Sequence, residues 1–208
     1  MHIVFVDNQD SFVYNLVDLI TTLGHTCTVF RNTVSPAEIL GAGGDAIILS
    51  PGPGHPRDAG CLMQVLDSAY GSVPIIGVCL GFQALLLHQG LNVRPCGPVQ
   101  GKTDHMAISN VSRETNRIFD GCLTRHGTVA VARYHSLGVP AKELPATVHN
   151  LGTCPSEIGD ISMAASFHAA NEDRPPLAFG VQFHPESILT PHGPSIFSNI
   201  IQYITQKD

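Results

Sequence analysis

The 208-residue sequence contains no tryptophan, few charged residues and no long hydrophobic run. Charged residues make up only 13% of the chain, and 11 Lys and Arg oppose 17 Asp and Glu, which gives a formal net charge of −6. This acidic balance provides no basic surface for nucleic acid. The longest apolar runs, such as Ala46–Leu49, are far shorter than the ~18 residues that a membrane span requires. We therefore expect a globular cytoplasmic protein that binds neither nucleic acid nor membrane.

The chain also lacks the cysteine and histidine spacings of a disulfide scaffold or a metal site. Its six cysteines include no CxxC pair, and its 11 histidines include no HxH or HExxH pattern. Exported disulfide domains are shorter and denser in cysteine, and zinc knuckles use near-neighbour ligands. No basic region precedes Asp7, so the N-terminus is not typical of a signal peptide. We expect no metal on this chain, and we expect all but one of the cysteines to be buried apolar side chains.

Short apolar strands alternate with amphipathic helices through the first ninety residues. Four segments are rich in Ile, Val and other strand formers: His2–Val6, Thr26–Arg31, Ala46–Leu49 and Pro74–Val78. The first helix has Asp10 or Ser11 as its predicted cap, Gly24 as its end and the apolar face Phe12, Leu16, Leu19, Ile20 and Leu23. Such alternation predicts an α/β fold with a mostly parallel central sheet flanked by helices.

The second half of the chain has a different pattern. Thr128–Tyr134, Ile161–Phe167 and Leu177–Phe183 are predicted strands with turn-rich joints, and Pro194–Ile204 is a predicted helix. These joints favour mixed or antiparallel pairing, and so a smaller antiparallel element beside the parallel sheet. No linker, repeat or low-complexity stretch divides the chain, and we therefore predict one domain over residues 1–208.

One cysteine lies in a pattern typical of a nucleophile. Cys79 follows the strand Pro74–Val78, precedes a predicted helix from Leu80 to Gln89, and has Gly77 and Gly81 two residues to either side. The sharp turn of a G-x-nucleophile-x-G motif tolerates little side-chain bulk beside it. The helix N-terminus favours thiolate over thiol, and the N–H of Leu80 points to where an oxyanion would form.

Two further segments follow predicted strands and reach the same edge of the sheet. His184 and Glu186, separated by a proline, can supply the general base and the carboxylate that orients it. The segment Ser50–Pro56 (SPGPGHP) lacks the Lys-Ser/Thr of a phosphate loop. Its glycines let backbone N–H groups approach a ligand closely, which suits the second half of an oxyanion hole.

These motifs together resemble the class I (triad) glutamine amidotransferase family. Cys79 in GVCLGFQ, His184 in HPES and Ser50 in SPGPG carry the resemblance, and it extends over the whole chain. The opening VDNQDSF resembles the stand-alone amidotransferase subunits that serve chorismate-using enzymes. The segments RYHSL and HPESILT are similar to the anthranilate synthase branch of the family. One departure is Gln100-Gly101-Lys102, where relatives often have His-Gly-Lys near the partner face.

The resemblance implies a role for individual residues. Cys79 would attack the amide carbon of glutamine, His184 would be general base and then acid, and Glu186 would orient it. Backbone N–H groups of Gly52 and Leu80 would hold the oxyanion. The implied glutamine-binding residues are Gly52, Pro53, Gly54, Gln83, Ser136 and Leu137, although Gln83 in its predicted helix would by itself suggest a solvated side chain.

The resemblance also implies a partner, because 208 residues leave no second domain to receive ammonia. It points to a chorismate-binding subunit, component I of anthranilate synthase, in a hetero-oligomer that is a heterotetramer. That subunit would carry the Mg²⁺, and this chain would carry no cofactor. One alternative is the same role in aminodeoxychorismate synthase, which feeds folate. From another class, a Cys-His-Glu triad on an α/β sheet also suits a stand-alone cysteine hydrolase that releases its product to solvent.

Overall fold

A computed structural model describes residues 1–109, 112–169 and 176–205. Its strands are β1 (His2–Asp7), β2 (Thr26–Arg31), β3 (Ala46–Leu49), β4 (Ile75–Val78), β5 (Arg94–Pro95), β6 (Lys102–Ile108), β7 (Thr128–Arg133), β8 (Leu137–Gly138), β9 (Val148–Cys154), β10 (Ile161–Phe167) and β11 (Ala178–Val181). Its α-helices are α1 (Val13–Thr22), α2 (Pro36–Gly41), α3 (Leu62–Ala69), α4 (Leu80–His88), α5 (Arg113–Ile118) and α6 (Gly193–Thr205), and short 3₁₀ turns cover Pro56–Asp58 and Ala141–Glu143. None of the helices in these ranges combines the length and the apolar character needed to cross a membrane.

Nine of the strands form one sheet in the order β2-β1-β3-β4-β11-β10-β9-β6-β7. The strands from β2 to β11 pair in parallel, and the pairs from β11 to β7 are antiparallel. Strands β5 and β8 form a separate antiparallel pair. This architecture confirms the predicted α/β fold class, with the antiparallel strands of the second half continuing the parallel sheet.

The sheet separates two hydrophobic cores, each covered by three helices. Residues of α1, α5 and α6 pack on one face, and residues of α2, α3 and α4 pack on the other. Helix α4 is apolar around its circumference, and seven of its nine residues are buried. A helix of that kind belongs inside a fold, and here it is fixed by strands and helices on several sides. The start of α4, which follows Cys79, is therefore held rigidly.

The start of α1 differs from the sequence-based expectation. The helix begins at Val13, its N-cap is Phe12, and neither Asp10 nor Ser11 caps it with a side chain. Asp10 instead accepts a hydrogen bond from the backbone N–H of Phe12 at 2.8 Å, which tightens the turn before the helix. The ring of Phe12 is not part of the apolar face that α1 presents to the core; it lies against Tyr134 and His184.

Candidate active site

The segments predicted to carry chemistry lie at one edge of the sheet. Cys79 follows β4, and the two strands that flank β4 are β3 and β11. Strand β3 leads into Ser50–Gly54, and β11 leads into Gln182–Glu186. Because parallel strands end at the same edge, both loops meet on either side of Cys79.

The turn at Cys79 is strained and closely packed. Cys79 has φ 51° and ψ −100°, and only Cys79 and Gln9 among the described non-glycine residues have positive φ. Its N–H donates to the carbonyl of Val181 at 2.8 Å. A Cβ at Gly77 would lie 2.5 Å from the carbonyl oxygen of Gly81, which leaves no room for a side chain. Such strain, maintained by its surroundings, is typical of a functional position.

Substitution of Gly81 tests this packing. A Cβ at Gly81 would lie 2.1 Å from the carbonyl oxygen of Leu49, so Gly81→Ala should lower the free energy of unfolding by about 3 kcal/mol or more. Gly41→Ala is the matched control, because nothing lies within 4 Å of its Cβ and its φ is ordinary. Urea denaturation should show a gain of about 0.4–1 kcal/mol for the control. Wild-type stability of Gly81→Ala would contradict the packing described here.

His184 and Glu186 form a buried hydrogen-bonded pair. Nδ1 of His184 lies 2.6 Å from Oε1 of Glu186, and the two side chains are 3% and 0% exposed. The other ring nitrogen of His184 is buried and meets no oxygen or nitrogen partner in the described parts of the chain. The hydroxyl of Thr190 donates to the carbonyl of His184 at 2.7 Å and so fixes its backbone. One nitrogen of the ring is thus held by a carboxylate and the other is left for Cys79.

The surroundings of His184 raise its pKa. Burial by itself would lower the pKa of His184, but hydrogen bonding to Cys79 and Glu186 and the negative charges of both outweigh it and raise this pKa to about 10. The ordinary value is 6.5, so charged His184 stabilises the fold fully below about pH 6.5. That stabilisation is lost as the pH rises towards 10. At neutral pH the site therefore holds an imidazolium between two acidic groups.

Cys79 and His184 face a common cavity of about 470 Å³. It is lined by Asp10, Phe12, Gly52, Cys79, Gln100, Gly101, Tyr134 and His184. Phe12 and Tyr134 contact the imidazole edge to face, with ring centroids 5.7 Å and 5.2 Å away. Phe12 was expected to lie in the core, and Tyr134 was not among the expected site residues. Gln100 and Gly101, which the resemblance places near the partner face, also line the cavity.

The loop after β3 is fixed by Asn8. The N–H of Asn8 donates to Oγ of Ser50 at 2.9 Å, and its side-chain amide donates to the Ser50 carbonyl at 2.9 Å. A Cβ at Gly52 would lie 2.6 Å from atoms of both Asn8 and Leu80, so only glycine fits. Gly52 therefore lies beside Leu80, whose N–H begins α4 and has no acceptor within the helix. Pro53 and Gly54 are exposed and are not among the residues that line the cavity.

Gln83 is buried, contrary to the solvated side chain that its helix alone suggested. It is 3% exposed, and its Nε2 donates at 3.2 Å both to the carbonyl of Leu137 and to Oε1 of Gln182. Gln182 in turn places its Nε2 3.6 Å from Sγ of Cys79. Ser136 is exposed and Leu137 is half-buried next to it. Gln83 thus connects the Leu137 backbone, through Gln182, to the nucleophile. Neither Ser136 nor Leu137 lines the cavity.

An ion pair between buried Arg133 and Asp104 lies beside the segment that contains Leu137. Arg133 is 3% exposed and donates to Oδ2 of Asp104 at 2.6 Å and to Nε2 of His135 at 3.2 Å. Burial by itself would raise the pKa of Asp104, but hydrogen bonds from Arg133 and from the His105 N–H, and the charge of Arg133, hold that pKa below its ordinary value. The pair therefore stabilises the fold above the ordinary pKa of Asp104, and the effect is lost as the pH falls.

Asp104→Asn should leave Arg133 buried without its counter-charge. We expect the free energy of unfolding at neutral pH to fall by about 3 kcal/mol, because a buried charge loses its partner. Denaturant titrations from pH 7 to pH 3 should also show that the free energy of unfolding falls less steeply with acid in the variant than in the wild type. Asp120→Asn, at an exposed position, is the control. Equal stability of Asp104→Asn and wild type at neutral pH would show that the pair contributes nothing.

Three side chains with metal-ligand chemistry meet away from the cavity, although the sequence predicted no metal site. Oxygen atoms of Glu114 lie 3.5 Å from Nδ1 of His149 and 3.6 Å from Nε2 of His168. The two imidazole rings are stacked, with centroids 4.1 Å apart and an interplanar angle of 26°. The nitrogen lone pairs of each imidazole lie in the plane of its ring, and the two ring planes are stacked. The arrangement is that of one carboxylate shared by two histidines.

Comparisons with known proteins agree with this geometry. The family model described as glutamine amidotransferase class-I matches residues 4–203. A relative named anthranilate synthase component 2 from Corynebacterium glutamicum is 45% identical, with 98% of each chain covered. A pyocyanine-specific anthranilate synthase component 2 from Pseudomonas aeruginosa is 40% identical, over 97% of this chain and 93% of the relative.

A solved structure shows the same fold. It is a crystal structure of a putative GMP synthase component from Thermoplasma acidophilum, with a TM-score of 0.76 and 22% sequence identity. The match covers 98% of this chain and 94% of that chain. The sheet and helices described above are therefore an arrangement found in other proteins.

Proposed function

The chain belongs to the class-I glutamine amidotransferase family, and from this premise we propose that it is the glutaminase subunit of an anthranilate synthase. It hydrolyses L-glutamine to glutamate and ammonia and delivers the ammonia to a chorismate-binding partner that makes anthranilate for tryptophan biosynthesis. The observation that carries the proposal is the cavity where Cys79 and His184 meet at the end of β4, with Glu186 behind the imidazole.

The reaction begins with attack of the Cys79 sulfur on the side-chain amide carbon of glutamine. His184 has taken the thiol proton, and the charge of Glu186 stabilises the resulting imidazolium. The C–N bond of the tetrahedral intermediate then breaks, and His184 gives its proton to the departing nitrogen, which leaves as ammonia. The product on Cys79 is a γ-glutamyl thioester. Neutral His184 next takes a proton from water, whose oxygen attacks the thioester and releases glutamate.

The negative charge on the carbonyl oxygen needs donors beside the sulfur. The N–H groups of Gly52 and Leu80 are the proposed donors, since Gly52 lines the cavity and Leu80 begins α4 next to Cys79. Gly54 and Pro53 would contact glutamine from the rim. Ser136 and Leu137 would hold its α-amino and carboxylate groups, and Gln83 would fix the Leu137 backbone from beneath.

We propose that ammonia passes directly to the partner, because at neutral pH most free ammonia is present as ammonium, and the ammonium ion is not a nucleophile. The proposed receiver is component I of anthranilate synthase in a heterotetramer, with Mg²⁺ on component I and no cofactor on this chain. We place the complex in the cytoplasm, because six free cysteines are typical of a reducing compartment. The alternative receiver, the chorismate-binding component of aminodeoxychorismate synthase, would use the same glutaminase chemistry.

A product assay distinguishes the two receivers. The chain is mixed with glutamine, chorismate and Mg²⁺, together with the chorismate-binding subunit of either anthranilate synthase or aminodeoxychorismate synthase from the same source. We expect anthranilate with the first subunit, no product with the second, and glutamine hydrolysis that is weak alone and rises when the first subunit binds. Aminodeoxychorismate only would assign the chain to folate synthesis. Full-rate hydrolysis without response to either subunit would favour a stand-alone cysteine hydrolase.

A further inference from the structure

Gln182 lies directly beside the nucleophile because of the strand register. Strands β4 and β11 are parallel with Val78 opposite Val181, and the N–H of Cys79 donates to the carbonyl of Val181 at 2.8 Å. The next residues along the two strands, Cys79 and Gln182, are therefore neighbours. Gln182 has no exposed surface, and its Nε2 lies 3.6 Å from Sγ of Cys79. A buried amide thus reaches the sulfur from the side of β11.

The orientation of this amide is determined by its neighbours. Nε2 of Gln83 donates to the carbonyl of Leu137, which can only accept, so the nitrogen of Gln83 is the atom that points there. The second N–H of the same nitrogen donates to Oε1 of Gln182 at 3.2 Å. Gln182 must therefore present its oxygen to Gln83 and its N–H to Cys79.

The hydrogen bonds continue from the Leu137 carbonyl to an ion pair. The carbonyl of Leu137 also faces Nδ1 of His135 at 3.1 Å. Arg133 can only donate, and its Nε donates to Nε2 of His135, which leaves the ring hydrogen on Nδ1. Arg133 is itself held by Asp104. Each group from Asp104 to Cys79 therefore has one permitted direction, and a turned Gln182 amide would place its nitrogen against the nitrogen of Gln83.

A fixed N–H donor aimed at sulfur favours the anion over the neutral thiol. Hydrogen bonds to an ionised acceptor are about twice as strong as neutral ones, and burial increases the difference. We propose that Gln182 is a positioning residue that stabilises the thiolate of Cys79 and fixes the direction of its sulfur before glutamine binds. The inference rests on the proposed glutaminase function, and it couples the nucleophile to the Leu137 segment that would grip the substrate.

The test is the pH dependence of Cys79 alkylation by iodoacetamide in the full-length chain, followed by mass spectrometry. Gln182→Met keeps the length of the side chain and removes the donor, and it should move the midpoint of the alkylation rate up by about one pH unit, which is about tenfold. Gln182→Glu should move it further, because a carboxylate repels the thiolate. In the complex with component I, both variants should lower kcat with little change in KM. An unchanged midpoint in Gln182→Met would overturn the inference.

The controls separate a positioning role from a structural one. Ser162→Ala deletes a buried hydrogen bond to Asn150 on the neighbouring strand and should leave the midpoint unchanged. If the wild-type chain shows no selectively reactive Cys79, the proposed function fails, whereas a reactive wild type with an unshifted Gln182→Met overturns only this inference.

A measurement on the wild-type chain does not depend on the folding of variants. The NMR chemical shift of the Gln182 side-chain amide should change with pH, with the same midpoint as the alkylation rate. The side-chain amide of Asn199, which donates to the carbonyl of Ile118 outside the site, should not follow it. A Gln182 resonance that does not change across the alkylation midpoint would overturn the inference.

Discussion

Cys79→Ala should lower the rate of glutamine hydrolysis by a factor of roughly 10⁴ or more, because no other group at the end of β4 can form the thioester. Cys79 supplies the only thiol among the residues that line the cavity with Gly52 and His184, and losing the attacking atom of a triad costs about as much as losing the whole triad. The rate is measured as glutamate release by the complex of the variant with component I. Anthranilate formation driven by added ammonia should remain, since that reaction uses only the partner.

The matched control is Cys61→Ala. Cys61 is a buried cysteine at the start of α3 that packs in the core with α2, α3 and α4 and does not line the cavity, so it should be dispensable for hydrolysis. If Cys79→Ala retained glutamine hydrolysis, the triad assignment would be wrong. If both variants lost it equally, the loss would reflect folding, which thermal unfolding of each variant would reveal.

Glu186→Gln should lower kcat by about 10⁴ with a much smaller effect on KM, because the amide can reverse the hydrogen bond to His184. In the wild type Oε1 of Glu186 accepts from Nδ1 of His184 at 2.6 Å, which leaves Nε2 to exchange protons with Cys79 and the substrate. An amide N–H pointed at Nδ1 would place the ring hydrogen on Nε2 and prevent it from accepting a proton. Loss of the carboxylate charge should also lower the pKa of His184 from about 10.

Glu143→Gln is the control for this prediction, since Glu143 is paired with Arg94 on the surface away from the cavity. It should leave kcat unchanged. The lower pKa of His184 in Glu186→Gln should appear as a smaller loss of unfolding free energy between pH 6.5 and pH 10 than in the wild type. A variant with wild-type kcat would show that Glu186 does not orient the imidazole.

The parallel half of the fold was predictable from the sequence because its strands are rich in Ile, Val and other strand formers. Strands β1 to β4 and helices α1 and α4 were all predicted to within a few residues. Strands β6 and β9 were not, because polar residues interrupt the apolar pattern on both faces of each strand, at Lys102–His105 in β6 and at His149 and Asn150 in β9. The register of β9 also depends on Gly152, where a Cβ would lie 2.5 Å from Sδ of Met106, and no local pattern reveals such a contact. Short helices α2 and α5 were likewise missed.

The site could be predicted where its residues lie close together in the sequence. The Cys79 motif and the His184–Glu186 pair were identified from spacing alone, and the structure brings them together. Gln182 was not identified, although it is two residues from His184, because its role depends on β11 lying next to β4. Gln83 was expected to be solvated because a helix pattern does not show that α4 is covered on all sides. Phe12 was assigned to the core because its spacing fits the apolar face of α1.

Transfer of labelled nitrogen tests the central claim most directly. The chain and component I are given chorismate, Mg²⁺ and glutamine labelled with ¹⁵N at the side-chain amide, in the presence of unlabelled ammonium. We expect anthranilate that is one mass unit heavier with the wild-type chain and unlabelled with Cys79→Ala. Unlabelled anthranilate from the wild-type complex, with the glutamine intact, would contradict the proposed glutaminase function.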